Sequence, residues 1–175
     1  MIRFGVSAAL FLLTFMIETS FFASLPWVFG TVPLVFAIGV YLIQHQGRLD
    51  GLVWILTYGL LVQTLHTSIT PLPLVAYAAG GFMSLIAARQ IFSNRSLYGV
   101  VACAWTGYAC FVAIQACVLF FNGLGESPST PWFAFWTAQS QGLLVLGATV
   151  VLIFLLAQPI QHVLRSPSFS RSPHV

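Results

Sequence analysis

PLPLVAYAAGGFMSLIAARQIFSNRSLY, residues Pro71 to Tyr98, contains most of what decides the fold. It opens on a two-proline elbow, Pro71-Leu72-Pro73, and continues as an apolar run in which Ala76, Gly80, Ser84 and Ala88 recur four residues apart. The run ends at Arg89, and the chain turns through Phe92-Ser93-Asn94-Arg95-Ser96-Leu97-Tyr98 into another apolar run. A hydrocarbon core about 30 Å thick needs about 20 apolar residues of helix. A stretch of this length, entered at proline and left at arginine, reads as one membrane crossing.

Composition extends that reading to the whole chain. It is 59% hydrophobic and 5% charged, against about 25% charged residues in ordinary soluble domains. There is no lysine, and the three acids are Glu18, Asp50 and Glu126. So few charges cannot cover a water-facing surface, and the class is therefore an all-α integral membrane protein. The sequence pI of about 9.0 rests on arginines scattered along the chain. A nucleic-acid surface needs them clustered, so nucleic acid is excluded as a partner.

Working outward from Pro71–Tyr98, the sequence predicts six spans in one bundle within residues 1–160. They cover about 3–22, 31–44, 51–69, 72–90, 97–121 and 131–157. The first span begins like a signal peptide, but no small-residue cleavage pattern follows, so it is expected to remain as a helix. Pro33 suits the first turn of the second span, where a missing N–H costs nothing. That span is short, which predicts tilt or a re-entrant start between Leu25 and Pro33. Gln44 to Asp50 reads as a polar turn, and Asn122 to Pro131 as the longest internal loop. Pro159 is expected to end or kink the sixth span, leaving 161–175 as a flexible cytoplasmic tail.

Six spans assign the loops alternately to two sides. Arg3, Arg48, Arg89, Arg95, Arg165 and Arg171 then share one side, and the other holds none. Positive charge is retained in the cytoplasm, so both termini are expected there.

Several residues stand out against this apolar background. Ala76, Gly80, Ser84 and Ala88 form a small-residue face that lets helix backbones approach closely, either within the bundle or against a partner protein. Cys103, Cys110 and Cys117 make a slowly drifting stripe seven residues apart; lacking histidine or acid beside them, they suggest packing and no metal or cofactor. Glu18 is the only acid inside a span. That makes it a functional candidate, although it lies near the outer end, where a carboxyl group can reach the interface. Gln63 and His66 share a helical face, extended by Thr67 and Thr70. Gln115, Gln139 and Gln141 add amides that either join helices or line a cavity. No nucleophile elbow, zinc-protease motif or phosphate loop is present, and one intramembrane acid cannot form an acid–base pair, so no enzymatic role is expected.

The segments Glu18-Thr19-Ser20-Phe21-Phe22 with Leu25-Pro26, then Pro33-Leu34-Val35, then Gly51-Leu52-Val53-Trp54 through Gly59-Leu60-Leu61, then Phe92-Ser93-Asn94-Arg95-Ser96-Leu97 follow one another in an order and spacing that resembles the rod shape-determining MreD family, in particular its short, divergent bacterial members. The resemblance covers about residues 15 to 115. It implies a non-catalytic scaffold of the cell-elongation machinery in the bacterial inner membrane, in contact with lipid. Its implied partners are an MreC-like protein, a RodA-type glycosyltransferase with its penicillin-binding protein, and MreB filaments. The cytoplasmic turn of Arg89, Asn94 and Arg95 would face the filament side. Glu18 stands where the family usually has glutamine, and Gln63 where it usually has aspartate. This double exchange suggests that the two form an intramembrane polar pair.

The rival reading is a substrate-binding subunit of an energy-coupling-factor vitamin transporter, whose architecture is similar. It would need an outward pocket, for which Glu18, Gln63, His66, Trp132 and Trp136 are the candidates, and small residues for docking, here Gly5, Ser7, Ala8 and Ala9. A channel is a third reading, disfavoured because paired interrupted helices are lacking.

Overall fold

The computed structural model describes residues 2–21, 24, 33–46, 49–65, 72–92, 96–122 and 129–165. Among them there is no β-strand, and six helices account for the fold: α1 (Ile2–Met16), α2 (Leu34–Gln46), α3 (Asp50–Leu65), α4 (Leu72–Ile86), α5 (Leu97–Asn122) and α6 (Ser129–Arg165). Two of them end in a widened π-helical turn, α1 through Ile17–Phe21 and α4 through Ala87–Ile91.

The helix starts follow from local chemistry. The Pro33 carbonyl accepts the Ala37 N–H at 2.9 Å, so proline sits at the mouth of α2, where its missing N–H is no loss. Asp50 opens α3, where a carboxylate complements the exposed N–H groups of the first turn. Ser96 caps α5: its hydroxyl accepts the Gly99 N–H at 3.2 Å, and its carbonyl accepts the Val100 N–H.

Three helical stretches are long and apolar enough to cross a membrane, Leu72–Ile91, Leu97–Phe121 and Trp132–Ala157; Gly5–Phe21, Leu34–Gln44 and Asp50–Leu65 are shorter apolar helices. Large apolar side chains are exposed along the outside, among them Leu13 and Met16 on α1, Phe82 on α4, and Phe133 and Leu144 on α6. Such a surface fits hydrocarbon, since a water-soluble monomer rarely exposes a contiguous apolar area of this kind.

α2 is the hub. It packs against α1, α3, α4, α5 and α6, and Val35, Phe36, Ala37 and Val40 are almost wholly enclosed. Its sequence is apolar on every side, the pattern of a helix surrounded by others. Helices consecutive in the chain run antiparallel, as their contacts show. Gly39 of α2 meets Ile55 of α3, Gly51 meets Ile43, Gly81 of α4 meets Leu52 and Ile55, and Gly147 of α6 meets Trp105 of α5. α1 lies parallel to α3, with Ser7 and Phe11 at Trp54 and Glu18 at Tyr58.

Two expectations change. α6 passes through Pro159 to Arg165, so Pro159 does not end the helix and residues 161–165, expected in the tail, are helical; proline keeps a helical φ even though it removes one backbone bond and crowds the preceding turn. Gln44 belongs to no polar turn: it is 6% exposed, inside the fold. The third span is helical as far as Leu65, and the rest of it, like the segment 25–32, lies outside the described residues.

Candidate functional site

The small-residue face of α4 is used inside the fold. Ala76 and Ser84 are fully enclosed and Gly80 is buried, while Ala88 is half-buried. α5 meets this face through Gly107, where a Cβ would collide with the Ser84 hydroxyl and the Gly80 carbonyl. A Cβ on Gly80 would in turn stand 2.9 Å from the Gly107 carbonyl. The two glycines therefore let the α4 and α5 backbones meet. The Ser84 hydroxyl donates to the Cys103 carbonyl at 3.3 Å, tying the helices at the same level.

Glu18 sits on the π-turn that ends α1 and is half-buried. One carboxylate oxygen accepts the Val35 N–H at 2.9 Å, and the other accepts the Tyr58 O–H at 2.5 Å. The first bond caps α2 from another helix. The opening N–H groups of a helix have no partner within it, and an anion is favoured there by the helix dipole. The second bond ties α1 to α3. Gln63 is half-buried on α3, five residues beyond Tyr58, and thus roughly 140° further round the helix. His66, Thr67 and Thr70 lie outside the described residues.

From Tyr58 an aromatic belt crosses the molecule. Phe15 of α1 meets Tyr58 edge-on at 6.0 Å, Tyr58 meets Tyr77 of α4 at 5.0 Å, and Tyr77 meets Phe111 of α5 at 4.7 Å, all between ring centroids. Tyr108 stacks on Phe111 at 5.6 Å and donates its hydroxyl to Gln139 of α6 at 2.8 Å. Gln139 then donates its amide to Gln115 at 3.1 Å. Offset and edge-on ring pairs add about 0.5–1.5 kcal/mol each beyond area burial. The belt joins α1, α3, α4, α5 and α6 by side-chain contact.

A second polar tie lies nearer the other end of the helices. The Gln44 amide donates to the Phe92 carbonyl at 2.5 Å, and the Cys103 thiol donates to Gln44 Oε1 at 3.1 Å. Phe92 follows the π-turn of α4, and its own N–H reaches back five residues to the Ala87 carbonyl at 2.8 Å. Gln44 thus supplies a donor for a carbonyl left over where the helix ends. Cys103 is buried, Cys110 half-buried and Cys117 exposed. Among the described residues no group of three histidine, cysteine or acidic side chains is placed to hold a metal.

The remaining candidates lie apart. Arg89 is exposed on the π-turn of α4; Asn94 and Arg95 lie outside the described residues. Trp132 packs against Phe120 and Phe135, whereas Trp136 lines a groove of about 580 Å³ between α5 and α6. Glu18, engaged by α2 and α3, is not among the residues lining that groove.

Tyr58, Tyr77 and Tyr108 escaped the sequence reading, and Gln44 entered it only as the start of a polar turn. Gln44 carried a signal, being the first amide after an apolar run. The tyrosines read as ordinary aromatics, and only the register of the folded helices brings their hydroxyls to polar partners.

The fold and these contacts define a class: among the described residues, an all-helical protein with three helices long and apolar enough to cross a membrane and an interior closed by aromatic and amide contacts. No family model, curated protein or solved structure matches the chain.

Proposed function

We propose that the chain is a six-span, non-catalytic scaffold of the bacterial inner membrane that serves the cell-elongation machinery, the role implied by its resemblance to the MreD family. The observation that carries this reading is how the interior polar groups are used. Both oxygens of Glu18, the hydroxyls of Tyr58 and Tyr108, and the amides of Gln44 and Gln139 bond to other parts of the same chain. A scaffold needs helices held in fixed register, and these bonds hold them. A vitamin-binding subunit would instead gather such groups around one pocket, whereas only Tyr108 and Gln139 of this set border the α5–α6 groove and Glu18, Tyr58 and Gln44 do not.

The proposed orientation, with both termini cytoplasmic, is supported by the alternation of the helices. The start of α1, the ends of α2 and α4, the start of α5 and the end of α6 fall at one end of the fold, and with them the positions of Arg3, Arg89 and Arg165. Basic residues gathered at one end mark the cytoplasmic side. The implied partners are an MreC-like protein, a RodA-type glycosyltransferase with its penicillin-binding protein, and MreB filaments on the Arg89 side.

Depletion of the protein in its own host tests the reading. Rod-shaped cells are expected to widen and round up before growth stops. Unchanged shape with lost vitamin uptake would overturn the proposal in favour of the transporter subunit.

A further inference from the structure

We propose that the protein thins the bilayer beside α3. Its apolar surface is a wedge, tall along α6 and short along α3, and the lipid on the α3 side is drawn in at the cytoplasmic end. The proposal rests on the reading of the chain as a six-span membrane protein with its termini in the cytoplasm.

Helix length sets the wedge. The apolar stretch of α6, Trp132–Ala157, has 26 residues, about 39 Å of helix. α3 has 16, Asp50–Leu65, about 24 Å, and the sequence past it turns polar at His66-Thr67-Ser68. A hydrocarbon core is about 30 Å thick, so one helix is too long for it and the other too short. α2 is shorter still, but the other helices surround it. α3 has no such cover: Val53, Leu60 and Leu65 are each more than half exposed.

Register sets where the ends fall. Gly81 packs on Leu52 and Ile55, Ser84 bonds to the Cys103 carbonyl, and Gly147 packs on Trp105. These contacts bring Leu52, Trp105 and Gly147 to nearly the same level. Asp50 is two residues nearer the cytoplasm than Leu52 and Leu155 eight residues nearer than Gly147, so Leu155 projects roughly 9 Å beyond Asp50. At the opposite end Trp132 packs on Phe120, Gly80 on Gly107, and Gly59 on Leu74 and Tyr77, which carries α6 past Leu65 as well. Tilting the molecule would only move the mismatch from one end to the other.

A flat bilayer cannot suit both helices. Leu152, Leu155 and Leu156 are each more than half exposed and call for hydrocarbon around them. Hydrocarbon deep enough to cover them would also cover Asp50 and the adjoining Arg48, and charged groups are costly there. A bilayer drawn in at α3 and left at full height at α6 meets both demands. Short apolar spans are accommodated by such thinning at modest cost.

The test reads the two levels directly. Single cysteines carrying a nitroxide are placed in a full chain whose native cysteines are serine, reconstituted in dioleoylphosphatidylcholine vesicles. Relaxation by oxygen, which concentrates in hydrocarbon, is compared with relaxation by a water-soluble nickel chelate. The oxygen-to-nickel ratio is expected to be several-fold higher at Leu155→Cys than at Asp50→Cys, although position 155 lies nearer the cytoplasm. Leu156→Cys and Leu49→Cys, both at exposed positions, form a second pair at the same two levels should a variant of the first fail to fold. A ratio at the α6 position equal to or below that at the α3 position would overturn the wedge. Leu60→Cys, within α3, should read hydrocarbon; nickel access there would overturn the membrane placement of α3, and the six-span reading with it.

Discussion

At Glu18, two oxygens meet donors from two other helices, the Val35 N–H and the Tyr58 O–H. What the position requires is therefore acceptor atoms at the right places, and an amide retains one of the two. Glu18→Gln should keep stability within about 1 kcal/mol of the parent, as judged by thermal unfolding in detergent. Glu18→Leu leaves both donors without their acceptor and should cost roughly 2–6 kcal/mol, since each unsatisfied buried group costs about 1–3 kcal/mol. Equal stability of the two variants would mean that the cap on α2 is unimportant. The prominence of Glu18 was legible in the sequence, because an acid inside an apolar span is conspicuous. Its partners were not, because the π-turn at Ile17–Phe21 changes the direction in which a side chain leaves the helix, and no composition rule singles out Tyr58 from other aromatics.

On the scale of the helix, close approach and end-capping decide the outcome. α4 and α5 meet at Gly80 and Gly107, where any Cβ lacks room, whereas a Cβ at Gly5 meets nothing within 4 Å. Gly107→Leu should abolish the monodisperse folded protein in size-exclusion chromatography, and Gly5→Ala should leave it unchanged or slightly stabilised, since alanine favours helix by about 1 kcal/mol over glycine. A folded Gly107→Leu protein would contradict the α4–α5 contact. At the end of α4, Gln44→Leu withdraws the donor to the Phe92 carbonyl. Amide hydrogen exchange over Ala87–Phe92 should then accelerate while the middle of α4 stays protected; uniform acceleration along the helix would point to global destabilisation instead. The four-residue spacing of Ala76, Gly80, Ser84 and Ala88 made this face visible in the sequence. Which helix would meet it was not visible, because small residues fit a neighbour within the chain and a partner equally well.

The molecule as a whole has a central short helix, an apolar exterior and an interior tied by a belt from α1 to α6. Helix class and approximate boundaries could be read from hydropathy and prolines. The central place of α2 could not, since a short apolar run reads as tilted or re-entrant until its neighbours are known. Orientation can be checked with Arg89→Cys in a chain whose native cysteines are serine. A membrane-impermeant maleimide should label it only after the cytoplasmic face is opened; labelling of intact spheroplasts would reverse the topology. The central claim is that this bundle is a scaffold for cell-wall elongation, and the most direct measurement is affinity capture of the tagged, full chain from native membranes in mild detergent, with partners identified by mass spectrometry. Enrichment of an MreC-like protein together with a glycosyltransferase and a penicillin-binding protein is expected. Enrichment of a paired transporter ATPase and its membrane coupling subunit, without those proteins, would contradict it.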